Sequence, residues 1–261
     1  MFMFVHDMVV LSSVHVLIAD VQNPRPFAFG SGCFLKYGNK FFFASVSHVT
    51  NYKDMTTFVE TNLPPIEETV PIKPISGLYY YSMFKSKGNM TLAQFEEMLQ
   101  SPQKPLDITF AEVYPPLGIF QVEMDFGAFK VERSPIVYLD LEDAAIPDKD
   151  ETYAFFGRTR QDYEGHYLKR THTFKHGLKF FQTVGNFHVF LAEEVIQDSL
   201  DYDGCSGAPI LDSEGRIVAL ACKIKIGTKI IYGFSIKECK KLMDYTIQVE
   251  QLNSANGDTT I

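Results

Sequence analysis

The chain lacks tryptophan, and it has few cysteines and no CxxC pair. Its four cysteines, Cys33, Cys205, Cys222 and Cys239, are widely spaced, which argues against a zinc ribbon and against a dense disulfide framework. We therefore expect reduced thiols and a cytoplasmic location.

The chain also lacks a run of basic residues and a long apolar segment. Its net charge is -8 at pH 7, and a protein that binds phosphate backbones needs a basic face, so we expect no nucleic-acid partner. The amino-terminal apolar stretch is interrupted by His6, Asp7 and His15 and has no basic residue ahead of it, unlike a secretory signal. No segment approaches the ~18 apolar residues of a transmembrane helix, so we expect no membrane partner.

The chain is rich in apolar and aromatic residues, which occur in short segments. Of its 261 residues 46% are hydrophobic and 21% are charged, and 23 Phe and 13 Tyr argue against long disorder and a coiled coil. Runs rich in Val, Ile, Phe and Tyr are separated by Gly, Asn, Pro and Asp, a pattern typical of an all-β barrel or sandwich. The YGNK sequence at 37–40 predicts a hairpin turn.

Two segments have helical patterns. Thr91 and Gln94 are spaced for a capping box at the start of residues 91–100, and a second helix near the end, from residue 236, closes the fold. The last residues are polar and aperiodic, so we expect a flexible tail over 248–261.

The chain divides into two halves with similar numbers of strands. The stretch from Tyr114 to Ser134 contains the rigid YPPLG turn, and we place an amino-terminal β-barrel at 1–120 and a second β-barrel at 121–247. The sequence leaves open whether each barrel closes.

The most informative segment is DYDGCSGAPILDSEGRIVAL at 201–220. Ser206 has a glycine two residues before it and another directly after it, and small neighbours let a scissile carbonyl approach a serine hydroxyl. The backbone N–H groups of Gly204 and Ser206 can converge on an oxyanion. The same residues also suit a plain Gly-rich turn between two strands, so this motif alone does not decide.

A serine hydroxyl needs a base and a group that orients that base. His48 follows the apolar segment FFFASVS where a loop begins, and Asp107 lies at the start of the apolar segment DITFAEV. The order His48, Asp107, Ser206 puts the base and the acid in the first half and the nucleophile in the second. The candidate site would therefore form at the seam between the halves.

These motifs resemble, in order, those of the chymotrypsin-like serine peptidases, and most closely the bacterial HtrA-type branch without its peptide-binding C-terminal module. The similar segments are GSGCFLKYGNKFFFASVSHV, LDITFAEV, YAFFGR, and DGCSGAPILDSEGRIVAL followed by YGFSI. Together they span roughly residues 10–243. The resemblance implies an all-β fold of two antiparallel six-stranded β-barrels with a site in the cleft between them.

The resemblance also implies a role for each residue. Ser206 would be the nucleophile, His48 the general base and then the general acid, and Asp107 the orienting carboxylate, while Gly204 and Ser206 supply oxyanion N–H donors. The implied activity is peptide-bond hydrolysis through an acyl-enzyme, which needs no cofactor. Cys205 stands where secreted digestive relatives carry an aspartate that pairs with a new amino terminus, so we expect no such activation clamp.

The same resemblance implies a specificity pocket. Leu200, six residues before the nucleophile, would form its base, and Ala221, Cys222 and Lys223 would form its wall. Leucine at the base cannot pair with an Arg or Lys side chain. We therefore expect a protein or peptide substrate that is cleaved after an apolar or small residue.

Several alternatives stay open. Cys205 could be the nucleophile, as in viral cysteine peptidases with the same two barrels, although it is one residue out of register with the glycines. The histidines at 166, 172 and 176 suggest a metal site, but their spacing suits a solvated strand, and we expect no metal.

The fold would also suit a pseudoprotease that binds a peptide or partner without turnover, or a serine esterase. An unrestrained cytoplasmic endopeptidase would endanger its own cell, which motivates a further hypothesis that a regulatory protein partner gates the activity. The oligomeric state is left open by the sequence.

Overall fold

The computed structural model describes residues 5–22, 25–63, 71–83, 91, 93–94, 96–97, 102–115, 117–164 and 167–255. The helices whose bounds lie within the described residues are α1 (Val5–Ser12), α2 (Ser47–Thr50) and α3 (Ile236–Ala255). The strands are β1 (Ser13–Ala19), β2 (Ala28–Tyr37), β3 (Lys40–Ser45), β4 (Thr56–Glu60), β5 (Ile72–Ile75), β6 (Tyr79–Met83), β7 (Lys104–Val113), β8 (Phe120–Gln121), β9 (Met124–Asp125), β10 (Lys130–Val131), β11 (Ser134–Pro135), β12 (Tyr138–Asp140), β13 (Tyr153–Glu164), β14 (Tyr167–Val184), β15 (Phe187–Leu191), β16 (Pro209–Leu211), β17 (Ile217–Ile224) and β18 (Ile230–Ser235).

The first half folds as an eight-stranded sheet. Its strand order is β5-β4-β1-β2-β3-β7-β6, and β12 joins it by pairing in parallel with β2. The predicted YGNK hairpin connects β2 to β3, with Tyr37 opposite Lys40. Gly38 has a φ of +57°, a conformation that glycine adopts without a steric penalty, so this turn fixes the register of the two strands.

The second half is a closed six-stranded barrel in the order β13-β14-β15-β18-β17-β16. Its interior is filled by large side chains that are almost fully buried, among them Tyr153, Phe155, Phe190 and Ile210. Closure pairs both edges of the sheet, which removes the exposed strand edges of an open sheet. β13 and β14 form a long hairpin that extends toward the first half of the molecule.

One of the two hydrophobic clusters extends across both halves, whereas the other fills the second barrel. Phe156, Leu211 and Leu220 of the second half belong to the same buried cluster as Val46 and Phe110 of the first half. A continuous apolar core of this kind excludes water from the seam and holds the two halves in one arrangement.

The predicted all-β class is confirmed, with one difference in detail. The second half is the expected six-stranded barrel, whereas the sheet of the first half has eight strands, and within the described residues β5 and β6 form its edges. β12 at 138–140 lies beyond the predicted barrel boundary at 120, yet it extends the first sheet because it pairs with β2.

The first of the two predicted helices lies partly in the described residues. Residues 93–94 and 96–97 are helical, and the predicted capping box is formed. The Thr91 N–H donates to Gln94 Oε1 at 3.0 Å, and the Gln94 N–H donates to Thr91 Oγ1 at 3.3 Å. The remaining residues of 91–100 lie outside the described residues.

The second predicted helix, α3, is longer than the sequence indicated. It continues to Ala255, so the prediction of a tail from 248 is wrong for residues 248–255. Glu250 accepts a hydrogen bond of 2.6 Å from the Tyr79 hydroxyl, which ties this last part of the helix to β6. Residues 256–261 lie outside the described part of the chain. No helix in the ranges given above is both long and apolar enough to cross a membrane.

Candidate active site

The pairing of β3 with β7 brings His48 and Asp107 together. Ser45 at the end of β3 lies opposite Thr109, so Asp107 projects beside the short helix α2, which begins two residues after Ser45. His48 Nδ1 lies 2.8 Å from Asp107 Oδ1 and 2.9 Å from Oδ2. The backbone N–H of His48 also donates to Asp107 Oδ1, at 3.2 Å. The carboxylate therefore holds both the ring and the backbone of His48.

The surroundings of Asp107 favour its ionised form. Burial raises the pKa of its carboxyl, but the hydrogen bonds and the charge of His48 outweigh burial and hold this pKa below its ordinary value. The Ser47 hydroxyl adds a contact of 3.2 Å to Oδ1. A carboxylate in this position keeps a proton on Nδ1 of His48 and leaves Nε2 to accept one. The His48 side chain is 41% exposed, so a substrate can reach it.

Ser206 lies in a tight loop between the 3-10 turn at Ser199–Asp201 and β16. Three amides of this loop bond to carbonyls: Cys205 N–H to Tyr202 O, Gly207 N–H to Ala221 O, and Ala208 N–H to Cys205 O. Within the described residues, the amides of Gly204 and Ser206 have no such carbonyl partner. These two N–H groups are the donors that the sequence indicated for an oxyanion.

The seam brings this loop next to the His48–Asp107 pair. A Cβ atom built on Gly30 in β2 would lie 2.4 Å from Val49 Cγ1, beside His48, and 3.2 Å from the Ser206 carbonyl oxygen. The carbonyl of Cys222 accepts a hydrogen bond from the Ser206 hydroxyl. Burial raises the pKa of the Cys222 thiol, and the charge of Asp107 raises it further.

The Ser206 hydroxyl is bonded to a carbonyl and not to His48. Its Oγ donates to Cys222 O at 3.3 Å, and among the described contacts it has no hydrogen bond to the imidazole. A 3.3 Å bond is long for an O–H donor and is weak. The hydroxyl would have to rotate away from Cys222 to transfer its proton to His48, and such contacts commonly tighten only when substrate binds.

A cavity of about 240 Å³ opens beside Ser206. The predicted wall residues Ala221, Cys222 and Lys223 line it, whereas Leu200, the predicted base, is not among its described lining residues and is 48% exposed. The other described lining residues are Phe155, Tyr202, Asp203, Cys205, Ser206, Ile224 and Ile231.

The displacement of Leu200 has a local cause. The Asp198 side chain accepts a hydrogen bond from the Leu200 N–H at 3.0 Å and caps the 3-10 turn, while Asp201 pairs with Arg160 at 2.6 Å. Leu200, six residues before Ser206, therefore lies in a capped turn at the surface and not at the base of the cavity. Phe155 and Tyr202 also line the cavity. The sequence analysis did not predict this role, although the two residues lie in the YAFFGR and DYDGCSG segments.

Cys205 is an unsuitable nucleophile. Its side chain is packed against Gly157, where an added Cβ atom would lie 2.6 Å from Cys205 Sγ. Burial raises the pKa of the Cys205 thiol to about 12, so almost none of it is thiolate at neutral pH. The alternative that Cys205 attacks substrate is therefore disfavoured.

The histidine cluster does not form a metal site in the part of the chain that the structure describes. Residue 166 lies outside the described residues, and His172 and His176 belong to no group of three or more His, Cys, Asp or Glu side chains there that could hold a metal ion. His172 lies instead near Arg158 and Arg170. Burial and these two cations lower the pKa of His172 to about 4.

Comparisons with known proteins support the fold assignment. No protein-family model matches the chain, and no curated protein matches it. Among solved structures the chain is similar to the serine endoprotease from Yersinia pestis, with 12% sequence identity and a TM-score of 0.51. The match covers 95% of this chain and 68% of that chain. At this identity the likeness establishes the chymotrypsin-like fold class and leaves the activity to be argued from the site.

Proposed function

We propose that the protein is a serine endopeptidase that cleaves peptide bonds through Ser206, His48 and Asp107. The observation that carries the proposal is the His48–Asp107 pair, with Nδ1 2.8 Å from the carboxylate, at the same seam as the Ser206 loop. A carboxylate that orients a solvent-accessible imidazole beside a serine on a tight turn is the arrangement that activates a hydroxyl.

The reaction follows from the role of each group. His48 Nε2 takes the Ser206 proton as Oγ attacks the scissile carbonyl carbon, and the amides of Gly204 and Ser206 donate to the oxyanion that forms. His48 then gives the proton to the leaving amine as the peptide C–N bond breaks. A water molecule, deprotonated by His48, hydrolyses the resulting acyl-enzyme and frees Ser206.

The cavity beside Ser206 supports cleavage after an apolar residue. Four of its lining side chains, Phe155, Tyr202, Ile224 and Ile231, are aromatic or aliphatic. Asp203 and Lys223 also line it, but they carry opposite charges and are exposed, so together they favour neither a cationic nor an anionic substrate side chain. An apolar side chain gains the most from leaving water in such a cavity.

An active-site fluorophosphonate tests the proposal directly. We expect one covalent adduct on the wild-type chain by intact mass and none on Ser206→Ala. Ser213→Ala, which alters an exposed serine in the turn after β16, is the matched control and should be labelled like wild type. Labelling of Ser206→Ala, or no labelling of folded wild type, would contradict the proposal.

A peptide panel tests the specificity. We expect cleavage after Leu, Phe or Val at a rate at least ~10-fold higher than after Arg, Lys or Glu, because a charged side chain pays desolvation in this cavity. Preferred cleavage after Arg would show that the apolar lining does not select the substrate.

A pseudoprotease is the second candidate. The observation that favours it is the Ser206 hydroxyl, which donates to Cys222 O instead of His48. In that case the folded protein would bind a peptide in the cavity without turnover and without fluorophosphonate labelling.

If labelling appears only when a second protein is added, the hypothesis that a regulatory protein partner gates the activity gains support. A cytoplasmic setting, which fits four free thiols, is part of the same proposal.

A further inference from the structure

Ser31 connects the first half of the molecule to the Ser206 loop. It lies in β2 between Gly30 and Gly32 and is only 1% exposed. Its hydroxyl donates to Gly204 O at 2.7 Å, and its backbone N–H donates to Ser206 O at 2.8 Å. One residue of the first half therefore holds two carbonyls of the loop, one on each side of Cys205.

The contact between Ser31 and the loop is close, and Ser45 supports Ser31 from within the first sheet. The Ser31 carbonyl accepts a hydrogen bond of 2.7 Å from the Ser45 hydroxyl. A Cβ atom added to Gly207 would lie only 2.0 Å from Ser31 O. The loop and β2 are thus in backbone contact, and a shift of Ser31 would be transmitted to the loop.

The hydroxyl acts on a particular peptide plane. The carbonyl of Gly204 and the N–H of Cys205 belong to one rigid planar unit, so fixing the oxygen fixes the orientation of that unit. The Cys205 N–H holds the other side by donating to Tyr202 O at 2.8 Å. Gly204 has a φ of +100° and, lacking Cβ, can rotate through many conformations. The N–H of Gly204 belongs to the preceding peptide, between Asp203 and Gly204, and is joined to the held plane only through the Gly204 Cα, so loss of the bond from Ser31 would free rotation between the two planes.

We propose that Ser31 is a positioning residue: its hydroxyl holds the Gly204–Cys205 peptide plane and its backbone N–H holds the Ser206 carbonyl, and together they keep the loop in the conformation that directs the N–H groups of Gly204 and Ser206 at the oxyanion. The inference rests on the proposed function for its catalytic consequence, whereas the restraint on the loop stands on the hydrogen bonds alone. Ser31 contacts no substrate in this scheme. It acts through the Gly204 and Ser206 backbone, and so its loss should affect the transition state more than substrate binding.

Ser13 offers a matched control for this experiment. It is buried in β1, and its hydroxyl also crosses the seam, donating to Phe156 O at 2.9 Å. Ser13→Ala removes one buried serine hydroxyl and one bond between the halves without altering a contact to residues 204–208. It therefore measures what such a loss costs the fold in general.

The first measurement is amide hydrogen exchange by NMR, which needs no activity. In Ser31→Ala we expect the Cys205 amide to exchange about tenfold faster than in wild type, because its peptide plane has lost an anchor. Ser13→Ala should leave that amide unchanged. Equal exchange in wild type and Ser31→Ala would overturn the inference.

The second measurement is steady-state cleavage of a peptide substrate. We expect Ser31→Ala to lower kcat by about 10- to 100-fold while KM changes little, since misplacing an oxyanion donor costs that order of rate. A fall in kcat of the same size in Ser13→Ala, or a change confined to KM, would contradict the role. If Ser31→Ala does not fold, Ser31→Cys keeps the size with a weaker donor and should change the same two readouts in the same direction.

The two proposals fail in different ways. If folded wild type is not labelled by the fluorophosphonate, the peptidase proposal fails, while the exchange data still decide whether Ser31 restrains the loop. If wild type is labelled and Ser31→Ala matches it in both exchange and kcat, only the inference about Ser31 fails.

Discussion

The close approach of the Ser206 loop to β2 requires glycine at position 207. The φ of Gly207 is +91°, and a Cβ atom there would lie 2.0 Å from Ser31 O and 2.4 Å from Ser45 Oγ. Both the backbone conformation and the space therefore require glycine at this position.

We predict that Gly207→Ala destabilises the protein by at least about 3 kcal/mol, because left-handed strain adds to a clash with backbone that cannot move away. Gly38→Ala is the control. Gly38 also has a positive φ, +57°, but no atom lies within 4 Å of an added Cβ, so its cost should be only about 1 kcal/mol. Urea unfolding of the two variants measures the difference, and equal losses would show that the contact with Ser31 is unimportant.

The four cysteines should resist alkylation in the folded protein. All four are free and buried, and burial raises the pKa of the thiols, to about 12 for Cys205 and Cys239. Iodoacetamide at pH 8 should therefore leave the folded chain unmodified and alkylate all four thiols in guanidinium. Intact mass reads the number of adducts. Rapid alkylation of Cys205 in the native protein would restore the cysteine alternative.

The sequence indicated His48, Asp107 and Ser206 as candidates because each lies in a segment whose local pattern is strong, and the structure places His48 against Asp107. The antiparallel register of β3 and β7 could not be predicted from a local turn, because α2, β4, β5 and β6 lie between these two strands in the chain. Leu200 could not be placed from its local pattern either, because its position depends on the cap from Asp198 and the ion pair of Asp201 with Arg160. Ser31 was visible only as part of a GSG string, and its role comes from a contact with residues far away in the chain.

Helix α3 continues further than its polar composition indicated. Its last turns are polar, and for that reason the sequence suggested a tail. The helix persists because it packs through its first turns and is held at Glu250 by Tyr79 and by Lys40, whose Nζ lies 3.5 Å away. Tertiary contacts here outweigh the local pattern.

This packing predicts a contrast between two residues of α3. Met243 is fully buried, whereas Leu252 is 63% exposed. Met243→Ala should lower the free energy of unfolding by about 2–5 kcal/mol through lost contacts and a cavity. Leu252→Ala should change it by less than about 0.5 kcal/mol. Thermal unfolding of both variants gives the comparison, and a large loss in Leu252→Ala would mean that the end of the helix is covered.

A buried charged network joins the β13–β14 hairpin of the second half to the sheet of the first half. Glu60 at the end of β4 pairs with Arg158 and, at 2.7 Å, with Arg170. Arg158 is 2% exposed and also donates to Gln121 Oε1 at 3.1 Å. Breaking a buried ion pair leaves an uncompensated charge. The network therefore makes the packing of the two halves depend on the charge of Glu60.

His15 makes this network sensitive to acid. It faces Glu60, Arg158 and Arg170, and Arg170 Nη1 lies 3.2 Å from its Nδ1. Burial lowers the pKa of His15 below its ordinary value of 6.5, and the two arginines lower it further, although Glu60 opposes them. The same Nδ1 lies 3.3 Å from Glu60 Oε2, and a protonated His15 would add a third cation to the cluster.

The lowered pKa of His15 determines how the free energy of unfolding depends on pH. Below pH 6.5 the unfolded chain protonates His15 while the folded chain resists, so the free energy of unfolding should fall as pH falls, by up to about 1.4 kcal/mol per pH unit for this one proton. Glu60 adds to the loss at lower pH, because its carboxyl pKa is held below the ordinary value: burial raises it, but His15, Arg158 and Arg170 together lower it more.

Replacing His15 should therefore flatten the acid limb of the stability profile. His15→Gln keeps an acceptor for Arg170 but cannot be protonated, so its free energy of unfolding should vary less than that of wild type between pH 6.5 and 5. His176→Gln, which changes an exposed histidine of β14 outside the network, should keep the wild-type slope. Urea unfolding at a series of pH values measures all three chains. If His15→Gln retains the full slope, the pH dependence has another origin and the seam does not respond to His15.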